Sequence, residues 1–246
     1  MIIGSNLIFR ETLTSTNTEA SLLLRRGDVA EGTVIHTDFQ TAGRGQPGNA
    51  WESESGKNLL ISIILFPQSV KPGEQFLISM TISLGVCDFI DRHTAGCKVK
   101  WPNDIYVKDD KIAGILIENS IMGDITESAV AGIGLNINQE IFPERIKNPV
   151  SLKLLTGKEL NTGNCLTDLL SALDIRYKQL LYGDRKKIHD EYKTRLYRFD
   201  ELYEYRSGGK FIKGRISDVS VSGILTIKDE HGTTHRFSFK EVDFMI

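Results

Sequence analysis

Between Asn58 and Pro67 the chain reads Leu59-Leu60-Ile61-Ser62-Ile63-Ile64-Leu65-Phe66, and this apolar stretch limits the fold more than any other feature. It is too short to cross a bilayer, which takes about 20 residues. Its β-branched content and the proline behind it read as a buried strand. The flanking sequence offers partners for such a strand. Thr33 to Phe39 predicts a second strand, and Phe76, Met80, Leu84 and Cys87 recur at helical spacing, predicting a long helix from Pro72 to about Arg92 laid on a sheet. Lys98–Trp101, Asp104–Val107, Ile112–Glu118 and Ile125–Asn138 predict an antiparallel meander with turns at Asp109-Asp110 and Met122-Gly123. Ahead of these, Thr16 and Glu19 form a capping box for a helix that stops near Gly27.

The second half is less uniform. Leu166, Leu169, Leu170, Leu173, Tyr177 and Leu180 make a helical stripe, and Arg185 to about Arg198 predicts a more polar helix behind Gly183. From Leu202 the pattern alternates and is broken by Gly208-Gly209, Ser222-Gly223 and Gly232, as in a small β-barrel. The expected class is α+β, a mixed and largely antiparallel sheet with flanking helices followed by that barrel, with domains at 1–198 and 199–246. No period organises the stretch from Gln139 to Gly163.

Bulk chemistry removes several function classes. Thirty basic and thirty-two acidic residues give a net charge of -2, so the chain as a whole offers no field for nucleic acid or an anionic membrane. Met1 to Asn17 lacks the features of a signal peptide, and Cys87, Cys97 and Cys165 show no pairing or metal-site spacing, so they read as reduced thiols in a cytoplasmic protein. The five histidines are scattered without ligand spacing. No Ser-His-Asp arrangement or Gly-x-Ser-x-Gly elbow supports a serine nucleophile.

Three segments have chemistry to offer. In Gly43-Arg44-Gly45-Gln46-Pro47-Gly48-Asn49-Ala50-Trp51, glycines around an arginine can wrap an anion, although a surface turn has the same composition. In Lys100-Trp101-Pro102-Asn103-Asp104, followed by Lys111-Ile112-Ala113-Gly114, hairpin pairing can put two lysines and a carboxylate on one face, as a phosphate and Mg²⁺ site needs. An ordinary solvated hairpin face fits as well. Gly132-Ile133-Gly134-Leu135-Asn136 is a strand open to close approach, or simply a bulged one.

Taken in order, Ser15-Thr16-Asn17, Gln40, Gly43-Arg44-Gly45, Trp51, Lys100 to Asp104, Lys111 with Gly114, and Gly134-Leu135-Asn136 resemble the biotin protein ligase family over nearly the whole chain. The resemblance implies a class II synthetase-like sheet followed by an SH3-like barrel. It implies ATP and biotin as substrates, Mg²⁺ as a cofactor, and a biotin carboxyl carrier domain as partner, with the ligase a monomer or homodimer. For biotin it implies Ser15, Thr16, Asn17, Gln40, Arg44, Gly45, Gln46, Lys111 and Gly114. For ATP it implies Trp51, Lys100, Asn103, Asp104 and Asn136, with Asp104 beside the metal, and it makes Arg44 and Lys111 the catalytic cations.

Many family members carry an arginine where this chain has Gln46 and a basic residue near Asn49, so fewer fixed charges face the phosphates here. Members that also repress transcription carry an N-terminal winged helix-turn-helix. Fourteen residues precede Ser15, too few for one, and DNA is not an expected partner. A lipoate or octanoate ligase is the rival within the class, and a non-catalytic biotin-binding module the rival outside it. Arg44, Lys100 and Lys111 argue against the second.

Overall fold

In a computed structural model, which describes residues 1–27 and 29–245, the elements run β1 (Asn6–Leu13), α1 (Thr16–Arg26), β2 (Thr33–Gln40), β3 (Leu59–Leu65), α2 (Phe76–Ile90), β4 (Cys97–Lys100), β5 (Asp104–Val107), β6 (Asp110–Met122), β7 (Ile125–Leu135), α3 (Leu152–Thr156), α4 (Thr162–Tyr182), α5 (Arg185–Arg195), β8 (Leu202–Ser207), β9 (Lys210–Val219), β10 (Leu225–Asp229), β11 (Thr234–Phe237) and β12 (Asp243–Phe244). Among the described residues the first seven strands form one sheet, ordered β1-β2-β3-β7-β6-β5-β4, and the last five form a second, ordered β11-β10-β9-β8-β12. Only the β1–β2 pairing of the first sheet is parallel, with α1 as its crossover, so the sheet is mixed and largely antiparallel as the sequence predicts.

All seven residues of β3 are buried because both faces of the sheet are covered. Leu59, Ile61, Ile63 and Leu65 join α2 and α4 in the main core, whereas Ile64 packs with Ile35, Val130 and Ala20 of α1 on the other face. The segment Pro72–Ile90 is long and apolar enough to cross a membrane, yet 72% of its most apolar window is buried inside the protein. The main core continues without a break into the second sheet through Ile216, Leu225, Ile227 and Phe237.

Trp101 carries much of that junction. Its indole is 3% exposed, its Nε1 donates to the carbonyl of Gly223 at 3.0 Å, and its ring lies 5.4 Å from Phe239. Trp101→Ala removes the packing and strands that carbonyl, so a loss of about 3–5 kcal/mol is expected. Urea denaturation followed by fluorescence measures it, and an unchanged midpoint would show that the junction bears no load.

Several local expectations need correction. The capping box does not form: Ser15 is the N-cap of α1 and no side chain of its own caps it. Instead Gln40, at the end of β2, reaches across and accepts from the backbone N–H of Thr16 at 2.8 Å. A side chain from another element thus satisfies a donor that the box was meant to satisfy. The β5–β6 turn is Lys108–Asp109, one residue earlier than predicted, with Lys108 at φ 56, and the β6–β7 turn is Gly123–Asp124. β1 escaped the pattern because, as an edge strand, it leaves Leu7 and Phe9 about half exposed. The stretch without a period contains α3 and the start of α4, which begins at Thr162 with Asn161 accepting from the N–H of Asn164.

Candidate active site

The site is built on the α1 face of the large sheet. Strands alternate, so one parity of β3, β6 and β7 turns toward α1, and on that parity stand Ser62, Gly114, Leu116, Glu118, Gly132 and Gly134. Gly114 pairs directly with Gly134, and Ser62 with Gly132. Small residues at these crossings leave a hollow floor between α1 and the loop that follows β2. The cavity above it is lined by Ser15, Thr16, Asn17 and Gln40 at one end and by Arg44, Trp51, Asp104 and Lys111 toward the other. Gly45, Gln46, Asn103 and Gly114 also line it, so most of the residues singled out in the sequence meet here.

A chain of hydrogen bonds runs along the neutral end. Gln40 Oε1 accepts from the N–H of Thr16 at 2.8 Å and from its hydroxyl at 3.2 Å. The hydroxyl of Ser62 lies 2.7 Å from Thr16 Oγ1 and 2.6 Å from Asn17 Oδ1. Asn17 Nδ2 in turn donates to Glu118 Oε2 at 2.8 Å. The two guanidinium Nη groups of Arg44 donate to Glu118 as well, at 3.1 and 2.6 Å. The Asn17 amide fits only because Gly132 is bare: a Cβ there would stand 2.1 Å from Asn17 Oδ1.

Ser62 and Glu118 were not found by sequence reasoning. The available signal for Ser62 was a lone hydroxyl in an apolar strand, which needs a buried partner. Ser62→Ala leaves the Thr16 and Asn17 oxygens without it, and a stability loss of about 1–3 kcal/mol is expected. Chemical denaturation reads it, and a neutral result would mean that other groups or water replace the hydroxyl.

At the charged end, the glycine-rich loop is closed into a hairpin by Gly45 N–H to Asn49 O at 3.0 Å and Trp51 N–H to Gly43 O at 3.0 Å. Gly43 is required for this closure, since a Cβ would come within 2.2 Å of the Trp51 carbonyl. The hairpin lays the Trp51 indole on the Gly114–Gly134 pair, where a Cβ on Gly134 would sit 2.3 Å from Trp51 Cε2. Lys111 Nζ stands 5.7 Å from the indole centroid and 2.6 Å from Asp104 Oδ1. Its backbone is clamped by the segment after β7, with its N–H donating to Asn148 O at 2.6 Å and its carbonyl accepting from Val150 N–H at 2.9 Å. The C-terminal sheet touches the same loop, for Lys240 Nζ donates to the carbonyl of Pro47 at 2.7 Å.

Two expected site residues do not line this cavity. Lys100 lines an adjoining cleft between the sheets, together with Lys147, Lys240 and Asp243. Its Nζ contacts Tyr106 Oη at 3.2 Å and the faces of Tyr106 and Phe244. Burial holds its pKa below the usual lysine value against the opposing pull of Asp104. Asn136 is 4% exposed, and its Nδ2 donates to Val150 O at 3.0 Å while its Oδ1 has no partner. The hairpin pairing therefore brings Asp104 and Lys111 together but turns Lys100 toward the other cleft.

The metal expectation rests on Asp104 alone. Among the described residues no group of three or more His, Cys, Asp or Glu side chains could hold a metal ion. Asp104 already spends an oxygen on Lys111. This donor set offers magnesium one carboxylate, so the rest of its shell would come from substrate phosphates and water.

Known proteins resemble this chain in sequence and fold. Residues 9–136 match the Biotin/lipoate A/B protein ligase family. The chain is 31% identical over 188 residues to the bifunctional ligase/repressor BirA of Bacillus subtilis, a match covering 73% of this chain and 56% of that one, so it spans little more than half the length of this relative. It is 32% identical over 195 residues to the biotin--[acetyl-CoA-carboxylase] ligase of Mycobacterium tuberculosis, covering 70% of this chain and 71% of the relative. The biotin protein ligase of Aquifex aeolicus, solved in complex with biotin and ATP, superposes with a TM-score of 0.79 at 26% identity, covering 98% of this chain and 99% of that one. On the family match and the shared fold together, the chain belongs to the Biotin/lipoate A/B protein ligase family.

Proposed function

We propose that the protein is an ATP-dependent biotin ligase, which forms biotinyl-5′-AMP with release of pyrophosphate and passes the biotinyl group to a lysine of a biotin carboxyl carrier domain. The observation that carries this reading is a cavity with a neutral hydrogen-bonding end, two cations and a half-buried aromatic platform. An uncharged ureido ring calls for neutral partners in a fixed frame, which Ser15, Thr16, Asn17 and Gln40 supply, with Ser62 behind them. Gly45, Gln46 and Gly114 border the acid as it runs toward Arg44 and Lys111.

A carboxylate is a poor acyl donor because its oxygen leaves badly. In the first half-reaction a carboxylate oxygen attacks the α-phosphorus, and the bond from that phosphorus to the bridging oxygen of pyrophosphate breaks. Two anions must approach, and fixed cations lower the barrier where their charges meet. We assign this to Arg44, through its planar fork, and to Lys111, as a compact charge that follows the shifting oxygen. Trp51 takes the adenine face, Asn103 and Asp104 flank the phosphates, and Lys100 meets the departing end of the triphosphate from the adjoining cleft. Mg²⁺ would enter on phosphate oxygens, with Asp104 as at most one ligand.

In the second half-reaction the carrier's lysine attacks the acyl carbon, the bond to AMP breaks, and the amine loses a proton. The three free, buried cysteines suit a reducing compartment such as the cytoplasm. The test is biotin-dependent exchange of labelled pyrophosphate into ATP, with lipoate and octanoate as parallel acids. Exchange driven by biotin alone supports the reading. Exchange driven by lipoate or octanoate instead moves the chain to the lipoate branch, and biotin binding without exchange makes it a binding module.

A further inference from the structure

Glu118 has no part in the chemistry above, yet it occupies both Nη groups of the arginine that the reaction needs. The paired side chains are 45% and 35% exposed, so solvent competes for them and the pair is of moderate strength. Its geometry is that of a guanidinium gripping a carboxylate end-on through its two Nη groups, a bidentate grip that a substrate carboxylate could equally take. The two partners differ in how they are held. Glu118 projects from paired backbone in β6, opposite Val130 of β7, and is tied to Asn17 at the start of α1. Arg44 is carried by the hairpin loop, which meets the rest of the protein through Trp51 and the Lys240 contact. A carboxylate on a paired strand thus holds a cation carried by a loop.

We propose that Glu118 is a positioning residue that acts as an internal stand-in for the substrate carboxylate: it holds Arg44 in the cavity wall, and acid binding exchanges one carboxylate for the other. The inference rests on the reading of the cavity as a biotin site. Arg44 cannot offer the same two Nη groups end-on to a second carboxylate, so binding the acid through them releases Glu118. Asn17 then keeps Glu118 in place, and the cavity does not collapse around it. This arrangement prevents a lone guanidinium from recruiting other anions, at the cost of some affinity for the correct one.

The test compares biotin with its alcohol analogue, in which CH₂OH replaces the carboxylate, by calorimetric titration of the wild-type protein, Glu118→Gln, Arg44→Ala and the double variant. Glutamine keeps an oxygen for Asn17 and loses the charge that grips Arg44. Glu118→Gln is expected to bind biotin roughly three- to tenfold more tightly. It is expected to bind the alcohol as the wild type does, and to have no effect on biotin when Arg44 is already alanine. Weaker biotin binding, an equal change for both ligands, or a gain that survives in the Arg44→Ala background overturns the exchange. Thermal unfolding of Glu118→Gln separates a damaged fold from a specific loss. If the wild-type protein binds neither ligand, the functional reading fails and takes the exchange with it; if it binds both and Glu118→Gln changes nothing, the exchange alone fails.

Discussion

Lys111→Ala is expected to slow acid adenylation by about 10²–10³-fold while leaving the KM for biotin within a few fold, because it removes charge stabilisation that grows only as the α-phosphate is attacked. Two features of the site set the size of this effect. Lys111 is clamped at both its N–H and its carbonyl by the segment around Asn148 and Val150, so its charge costs little reorganisation during reaction. Its Nζ also neutralises Asp104 at 2.6 Å. Removing the lysine therefore leaves a bare carboxylate beside the incoming phosphates, and repulsion adds to the lost attraction. On this account Lys111→Ala/Asp104→Asn recovers part of the activity lost in the single variant. Pyrophosphate exchange and single-turnover formation of the adenylate measure both. A single variant within about fivefold of wild type would remove Lys111 from the chemical step.

Gly134→Ala is expected to disable nucleotide binding while sparing the neutral end of the cavity. A methyl group at 134 would stand 2.3 Å from Trp51 Cε2 and 2.6 Å from its Nε1, far inside contact distance. The ring cannot drop away freely, because the Trp51 N–H is bonded to Gly43 and the Gly43 Cα faces the Trp51 carbonyl. The indole must tilt off its platform, and a base–aromatic stack is worth about 1–3 kcal/mol, which corresponds to about a 5- to 150-fold loss in ATP affinity. Trp51→Ala should lose a similar amount and the double variant little more than either, since both delete one interaction. Gly114→Ala is milder, its nearest ring atom being 3.0 Å away. Equilibrium titration with ATP and with biotin separates the two ends. Unchanged ATP binding in Gly134→Ala would mean that the ring does not meet the nucleotide.

Residue chemistry explains what could be read without coordinates. The β3 strand and the helices α2 and α4 announce themselves because burial selects apolar residues at the spacing of the element. Lys111, Arg44 and Trp51 stand out because charge, glycine and a large aromatic fall together in short segments. The hidden parts depend on partners distant in sequence. Gln40 caps a helix 24 residues away, a role visible only once β2 and α1 are adjacent. Glu118 meets Arg44 across 74 residues and looks like any acid on a long hairpin. Lys100 and Asn136 belong to motifs that surround the cavity, yet strand parity and the Val150 contact turn them elsewhere. The β5–β6 turn falls one residue earlier than composition suggests because Lys108 takes the left-handed conformation usually given to Asn, Asp or Gly.

The alternation that clears the cavity floor divides the labour of three strands by position number. Leu59, Ile61, Ile63 and Leu65, with Ala113, Ile115, Ala131, Ile133 and Leu135, send their side chains into the main core. Ser62, Gly114, Glu118, Gly132 and Gly134 stand on the other parity and face the site. Variation can therefore retune ligand preference at one set of positions without disturbing the packing carried by the other. A change of length has no such freedom. Inserting or deleting a single residue within any of these strands exchanges the two sets at once, placing leucine and isoleucine in the cavity and glycine in the core. Substitution is therefore the open route to a new specificity along these strands, and a change in length is tolerable only in the turns and loops between them.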